Sequence, residues 1–339
     1  MSNLDDVIKK LNKNFDQEII AQGLEYEECP RVKFTSPRLN YLTYGGLPKG
    51  RLIEFYGDEG GGKTTTALDI VKNIQAEGGK VLFVDVERTL DGDWAKLLGV
   101  DTESLVYFKP NEQSGEQILQ ATKELLSTDE FALCVFDSIG ALVSAQAYSK
   151  TIEDRTYGGI SMALTLFSKE IIPICARSGC LFIGINQMRD DMDNPYSTGT
   201  TTGGRAWRHN CSVRMEFRKG DYIDDKGTHV SRSVENPAGN IVKVSLIKSK
   251  ICKLNRKVGF YTLNYLTGID TASDYIDIGI LCGRIKQSGA WYSFLADDGS
   301  VAKIGETDMK FRGRDELKKA VLEYDELRTV LEQSLEDSI

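Results

Sequence analysis

The chain has 339 residues, 41% hydrophobic and 27% charged, an ordinary globular balance with room for one large domain and a smaller partner, or for two medium ones. Its net charge of −8 excludes a protein that grips nucleic acid through its overall field, though not a local basic groove. No apolar run reaches membrane-spanning length, MSNLDDVIKK lacks the apolar core of a signal peptide, and seven scattered cysteines with two histidines indicate neither a disulfide framework nor a zinc ribbon. The expectation is a cytoplasmic protein with no membrane partner.

In chain order, Leu4, Ile8, Leu11 and Phe15 form one helical stripe, with Asp5 and Asp6 suited to the dipole of the first turn. Such a helix buries its stripe either on its own domain or on a neighbouring subunit. An acidic, irregular stretch from Glu25 to Pro30 separates it from the rest of the chain.

Arg51 to Tyr56 has the β-branched and aromatic content of a strand, and Ala67, Ile70, Val71 and Ile74 recur at helical spacing up to Gly78 and Gly79. Between them lies Gly57-Asp58-Glu59-Gly60-Gly61-Gly62-Lys63-Thr64-Thr65, which matches G-x-x-x-x-G-K-T. Strand, glycine turn and helix together define a phosphate site. The glycines let backbone N–H groups curl around phosphate oxygens, and the helix N-terminus adds partial positive charge. Lys63 is placed for the β- and γ-phosphates of a nucleotide, and the Thr64 hydroxyl for Mg²⁺.

Three further apolar runs come next, Val81 to Val86, Leu133 to Phe136 and Leu181 to Ile185, separated by helical sequence. That is the pattern of a parallel sheet covered on both faces. Polar residues stand where the runs end: Asp85 and Glu87, Asp137 and Ser138, Asn186 and Gln187. In an open parallel sheet those ends line the ligand crevice. Asp137 has the place of a Walker B acid that holds Mg²⁺, directly or through water. Glu87 is either the base that activates a water or a solvated acid at a strand end.

Beyond residue 205 longer strands are expected at Ser212 to Arg218, Ile241 to Lys248 and Lys257 to Asn264, an antiparallel extension carrying a basic run in an acidic chain. Two segments, about 146–159 and 188–204, carry little apolar periodicity, and loops of that length in a compact domain are usually functional or disordered. From about Ser273 a small unit begins. It is expected to hold a short helix to Cys282, a hairpin of Trp291 to Leu295 with Val301 to Ile304, and one final helix using Leu317, Val321, Tyr324 and Leu331.

From about Leu39 to Lys303 the chain resembles a RecA-family DNA recombinase. The residues that carry the likeness are Gly45 to Thr65, Val84 to Asp101, FDSIGALV from Phe136, INQMR from Ile185, TTTGGRAW from Thr200, IKSKI from Ile247 and GAWYS from Gly289. The resemblance implies a RecA-like α/β ATPase core at 31–270 with a mostly parallel sheet and an antiparallel extension. It further implies a subunit-linking helical arm at 1–30 and a small α/β domain with an acidic tail at 271–339. It makes Glu87 the catalytic glutamate and Gln187 the sensor of the γ-phosphate. Asp91 and Trp94 become adenine contacts, and Lys248 and Lys250 a pair that completes the neighbouring subunit's site. The two loops become DNA-binding loops, with contacts assigned to Arg155, Tyr157, Gly158, Lys169, Arg189, Met192, Gly203, Gly204 and Arg205.

The implied function is ATP-dependent pairing and exchange of homologous DNA strands, by a helical filament built on single-stranded DNA that also takes up homologous double-stranded DNA. A ring helicase or translocase of the same fold, or an ATP-binding regulatory scaffold without a DNA role, are the alternatives. The chain departs from the family's pattern in several places. The early part of the first loop matches poorly, Asp190, Asp191 and Asp193 sit in the second, and Trp94 stands where the family usually has a tyrosine. These departures fit a divergent member, such as one from a bacteriophage or mobile element.

Overall fold

The computed structural model describes residues 3–16, 19–21, 29–148, 159–189, 199–225, 227–231 and 233–339, with Arg189 by its backbone alone. The chain divides into two compact units, Met1–Pro30 and Arg31–Ile339. In the first, a helix spans Leu4–Asn14 with Asp5 and Asp6 in its first turn, and the apolar side chains Leu4, Val7, Leu11 and Phe15 are exposed.

The second unit is built on one sheet. From one edge its strands run Gly268–Ile269, Val258–Asn264, Gly239–Ser249, Val213–Ile223, Leu52–Gly57, Leu181–Arg189, Phe131–Asp137, Lys80–Asp85 and Val106–Phe108. From Val213–Ile223 to Val106–Phe108 all neighbours are parallel, and the first four strands pair antiparallel with one another. This is the expected parallel core with its antiparallel extension. Two strands of the extension, Val213–Ile223 and Gly239–Ser249, run further than expected, to Ile223 and from Gly239.

The parallel strands are near-continuously apolar because both faces are covered. Alternate side chains, such as Ile53, Phe55, Phe83, Val135 and Ile183, pack beneath the helix Lys63–Ala76. Their neighbours Leu52, Leu82, Cys134, Phe136 and Phe182 pack against the helices Gly115–Leu126 and Ile160–Ser178. The capping box of Ser114 and Gln117 fixes the start of the first of those two helices.

The C-terminal segment differs from its sequence reading. Trp291–Phe294 pairs with Ile285–Ser288 and Lys310–Arg312, while the expected partner Val301 meets it only in a single bridge to Leu295. Only Ile285 of the run Ile285–Ser288 is buried and the three polar residues after it are exposed, so it lacks the apolar signature of a strand. The final helix is two, Arg314–Glu323 and Asp325–Glu336, broken at Tyr324, whose backbone is extended. The break re-aims the second helix so that Leu327 and Leu331 join Leu317 and Val321 in one cluster around Phe294. The helix Thr271–Leu281 fastens this segment to the helix Pro37–Thr43. Asp274 accepts from Ser36 Oγ, and Asp277 pairs with Arg38 (2.6 Å) and Arg314 (2.7 Å).

Candidate nucleotide and DNA site

The register of the sheet brings the polar strand ends to one level. Gly57 lies opposite Gln187, and Asp85 opposite Asp137. The phosphate-binding loop leaves the sheet at this edge. At Gly57, φ is +141° and a Cβ would fall 2.0 Å from Phe217 O, so a side chain is excluded both by conformation and by the neighbouring strand. A Cβ at Gly61 would stand 3.0 Å from Phe217 O and one at Gly62 3.0 Å from the Tyr261 hydroxyl, and the glycines leave a cradle of bare backbone at the start of the helix. Asp58, Glu59 and Gly60 form its exposed tip.

Lys63 is buried, and its ammonium donates to Gly57 O (2.9 Å) and Asp58 O (2.7 Å). Burial lowers its pKa, and the nearby acids Asp137, Asp58 and Glu87 pull it back up. Thr64 Oγ1 donates to Asp137 Oδ2 at 2.8 Å. Burial raises the Asp137 carboxyl to about 6, with Glu87 and Asp85 adding to the rise while the Thr64 hydroxyl and Lys63 oppose it. A hydroxyl and a carboxylate on adjoining elements are the oxygen donors that Mg²⁺ takes, so these residues fit the ion.

Glu87 is not a lone solvated acid. Its Oε1 accepts from Gln187 Nε2 (2.9 Å) and from Ser138 Oγ, which joins the assigned base, the assigned sensor and the residue after Asp137. Asp85 beneath it is buried and accepts from Thr89 N (3.2 Å), Leu90 N (3.1 Å) and the Tyr107 hydroxyl (2.7 Å), fixing the turn that presents Glu87. Burial, together with the hydrogen bond to that carboxylate, raises the Tyr107 hydroxyl to about 12.

A cleft of about 460 Å³ adjoins the loop, lined by Gly60, Gly61, Gly62, Lys63, Thr64, Thr65 and Trp94 and, from the antiparallel extension, Lys219, Asn240, Leu263 and Tyr265. The Trp94 indole N–H donates to Thr65 Oγ1 at 3.3 Å. Asp91 caps the helix Gly92–Leu97, accepting from Asp93 N (2.9 Å) and Trp94 N (3.1 Å), so in this state it orients Trp94. The extension's contribution went unread in the sequence. Tyr265, whose hydroxyl donates to Asn240 Oδ1 (2.8 Å), is brought to the cleft only by strand pairing.

Lys248 and Lys250 do not join this constellation within their own chain. Lys248 pairs with Arg214, which lies opposite Glu54, three residues down the strand from Gly57. Its ammonium donates to Arg208 O (2.8 Å) and His209 O (2.7 Å), closing the end of the helix Gly204–Asn210, and burial lowers its pKa. Lys250 is exposed.

Of the assigned DNA contacts, Arg155, Tyr157, Gly158 and Met192 lie outside the described residues. Lys169 is exposed on the helix Ile160–Ser178, and Arg205 is exposed in the first turn of Gly204–Asn210, behind Gly203 at φ +99° and Gly204 at φ +72°. Met188 and Arg189, expected in a loop, extend the Gln187 strand and pair with Thr200 and Thr201. The strand that ends the nucleotide site therefore runs straight into the second loop.

A glycine cradle between strand and helix, a threonine–acid pair and a strand-end glutamate define a P-loop nucleotide-binding protein of the α/β class. Residues 2–270 match the family described as RecA N-terminal domain. The chain is similar to the Protein RecA of Rhodococcus opacus (strain B4), 31% identical over 340 residues that cover 99% of this chain and 91% of the relative. It is similar to the Protein RecA of Chloroherpeton thalassium, 34% identical over 301 residues that cover 88% of this chain and 81% of the relative. The Protein RecA of Mycobacterium marinum is 34% identical over 299 residues, 88% of this chain and 80% of the relative. The chain belongs to the RecA family of DNA recombinases. Among the described residues no helix is long and apolar enough to cross a membrane.

Proposed function

We propose that this chain binds ATP with Mg²⁺, assembles on single-stranded DNA into a filament, and pairs and exchanges homologous strands, hydrolysing ATP in a DNA-dependent way. The observation that carries the reading is the hydrogen bond between Glu87 and Gln187, at the point where the Gln187 strand continues into the second loop. A base tied to a strand that leads to the loop gives hydrolysis and DNA engagement a common part.

Lys63 and the bare backbone of Gly61 and Gly62 hold the phosphates, and Trp94 with Tyr265 flanks the space left for the base. Mg²⁺, held by Thr64 and Asp137, supplies neutralisation of phosphate charge. Glu87 holds the proton-accepting oxygen at the strand end, and Gln187 orients it. The acidic loop residues Asp58 and Glu59 stay at the solvent side. Lys248 and Lys250 act on the neighbouring subunit's nucleotide, which is consistent with their position away from their own chain's Lys63. The stripe of Leu4, Ile8, Leu11 and Phe15 joins subunits, residues 31–270 form the core, and 271–339 act as a small domain. The setting is the cytoplasm.

The test measures ATP hydrolysis with and without single-stranded DNA, together with exchange between a circular single strand and a homologous linear duplex. DNA-stimulated hydrolysis with exchange is expected. Stimulated hydrolysis that unwinds duplexes without pairing homologues would point to a translocase, and no response to DNA would point to a scaffold.

A further inference from the structure

Glu54 lies three residues before the phosphate-binding loop, in the centre of the sheet, with no accessible surface, and it has no part in the site described above. A charge taken out of water is costly unless donors surround it. Here three do. Oε1 accepts from Asn186 Nδ2 (2.9 Å) and from the Trp207 indole N–H (3.0 Å), and Oε2 accepts from Arg214 Nε in a buried ion pair.

Each donor leads to a different part of the frame of the second loop. Asn186 shares its amide with Thr202 O (2.8 Å), and its Oδ1 accepts from Gln187 N (3.0 Å), one residue from the contact with Glu87. Arg214 Nη2 donates to Thr201 Oγ1 (3.2 Å), and its guanidinium lies 4.6 Å from the centre of the Tyr56 ring. Trp207 belongs to the helix after the loop, and fits over Gly184, where a Cβ would come within 2.7 Å of the indole. Lys248 holds the far end of that same helix. Beside this network, Thr202 Oγ1 is, among the described residues, a buried hydroxyl with no partner.

We infer that Glu54 is a positioning residue that couples the nucleotide state at Gln187 to the second loop. By gathering Asn186, Trp207 and Arg214 onto one carboxylate, it makes the sensor strand, the returning limb of the loop and the following helix move as one body. Packing alone does not require the ion pair here, since volume-matched apolar groups in place of both Glu54 and Arg214 would fill the space without the desolvation penalty. The inference rests on the recombinase reading, because it takes Gln187 as a nucleotide sensor and the loop as a DNA contact.

The experiment compares wild type, Glu54→Gln and the double variant Glu54→Leu/Arg214→Met in DNA-free and DNA-stimulated ATP hydrolysis, with nucleotide affinity and thermal unfolding measured alongside. Glu54→Gln leaves three donors facing an amide. Its DNA-free turnover and nucleotide affinity should stay within about threefold of wild type, while stimulation by DNA falls about tenfold or more. The double variant removes both charges together and should recover the melting temperature without recovering stimulation. Stimulation that returns along with the melting temperature would overturn the inference, since the carboxylate would then serve the fold alone. Should both proteins fail to fold, Trp207→Phe keeps the ring and removes one donor. Weakened stimulation at unchanged DNA-free turnover supports the coupling, and unchanged stimulation overturns it. A wild-type protein that ignores DNA would overturn the recombinase reading itself, whatever the variants do.

Discussion

Replacing Glu87 by glutamine separates chemistry from architecture. The carboxylate accepts from Gln187 Nε2 at 2.9 Å and from Ser138 Oγ. Hydrogen bonds to a charged acceptor are worth about 1.5–3 kcal/mol and neutral ones about 0.5–1.5. The amide keeps one acceptor oxygen, so the local loss is on the order of 1–2 kcal/mol. Part of that is offset, because Glu87 is one of the charges that destabilise the Asp137 carboxylate. Removal of a general base costs about 10²–10⁴ in rate, roughly 3–5 kcal/mol of barrier. The catalytic effect therefore exceeds the structural one and appears in kcat alone. Phosphate release at saturating ATP and DNA should drop by that factor, while displacement of a fluorescent ATP analogue gives an unchanged Kd and the melting temperature moves by a few degrees. DNA filaments should persist in ATP. Turnover of Glu87→Gln within about tenfold of wild type, or a Kd that weakens in step with kcat, would refute the assignment.

Lys250→Ala should lose DNA-stimulated hydrolysis yet still bind ATP as an isolated subunit, and mixing it with Lys63→Ala protein should restore activity at hybrid junctions. No recovery at any ratio, with mixed filaments seen, counts against action in trans. Trp94→Ala removes an aromatic face from the cleft and should weaken ATP about tenfold in a titration, in line with about 1–3 kcal/mol for stacking on a base, with the fold intact. The fully buried Asp274 has its carboxyl pushed far above the ordinary range by burial, reinforced by Asp277 and Asp270 and opposed by the Ser36 hydroxyl and Arg38. A raised carboxyl favours the fold at low pH, and that contribution is lost as pH climbs from the unfolded value towards the folded one. Asp274→Asn should thus gain melting temperature relative to wild type as pH rises from 4 to 8, and a growing deficit instead would show that the charge is needed.

The parts of this molecule that announce themselves in sequence are those whose physics is local. A glycine turn between an apolar strand and an amphipathic helix needs only neighbouring residues to specify it, so Gly57 to Thr65 was legible together with the strand and helix that flank it. Asp137 and Glu87 were legible too because parallel strands align their ends, and register does place Gly57 beside Gln187 and Asp85 beside Asp137. What stayed hidden depends on pairing between distant segments. Tyr265 and Asn240 reach the cleft through antiparallel strands, and a polar run such as Ile285–Ser288 gives no apolar alternation although it completes a small sheet. Tyr324 carries no proline or glycine to signal the break that splits the last helix.

Glu54 is the clearest case of the second kind. In sequence it is one acid in an apolar strand, which local rules treat as an anomaly to be solvated, yet the sheet gives it no route to water and three donors from distant segments instead. A residue that breaks the local pattern while being satisfied by long-range partners is legible only once those partners are placed, because its acceptor oxygens answer donors from three distant segments. The same logic applies to Lys248, which binds two helix-terminal carbonyls of its own chain although its assigned role lies in the neighbour's site. Those two bonds fasten the end of the helix Gly204–Asn210, so Lys248, like Glu54, ties a strand of the sheet to the helix that follows the second loop.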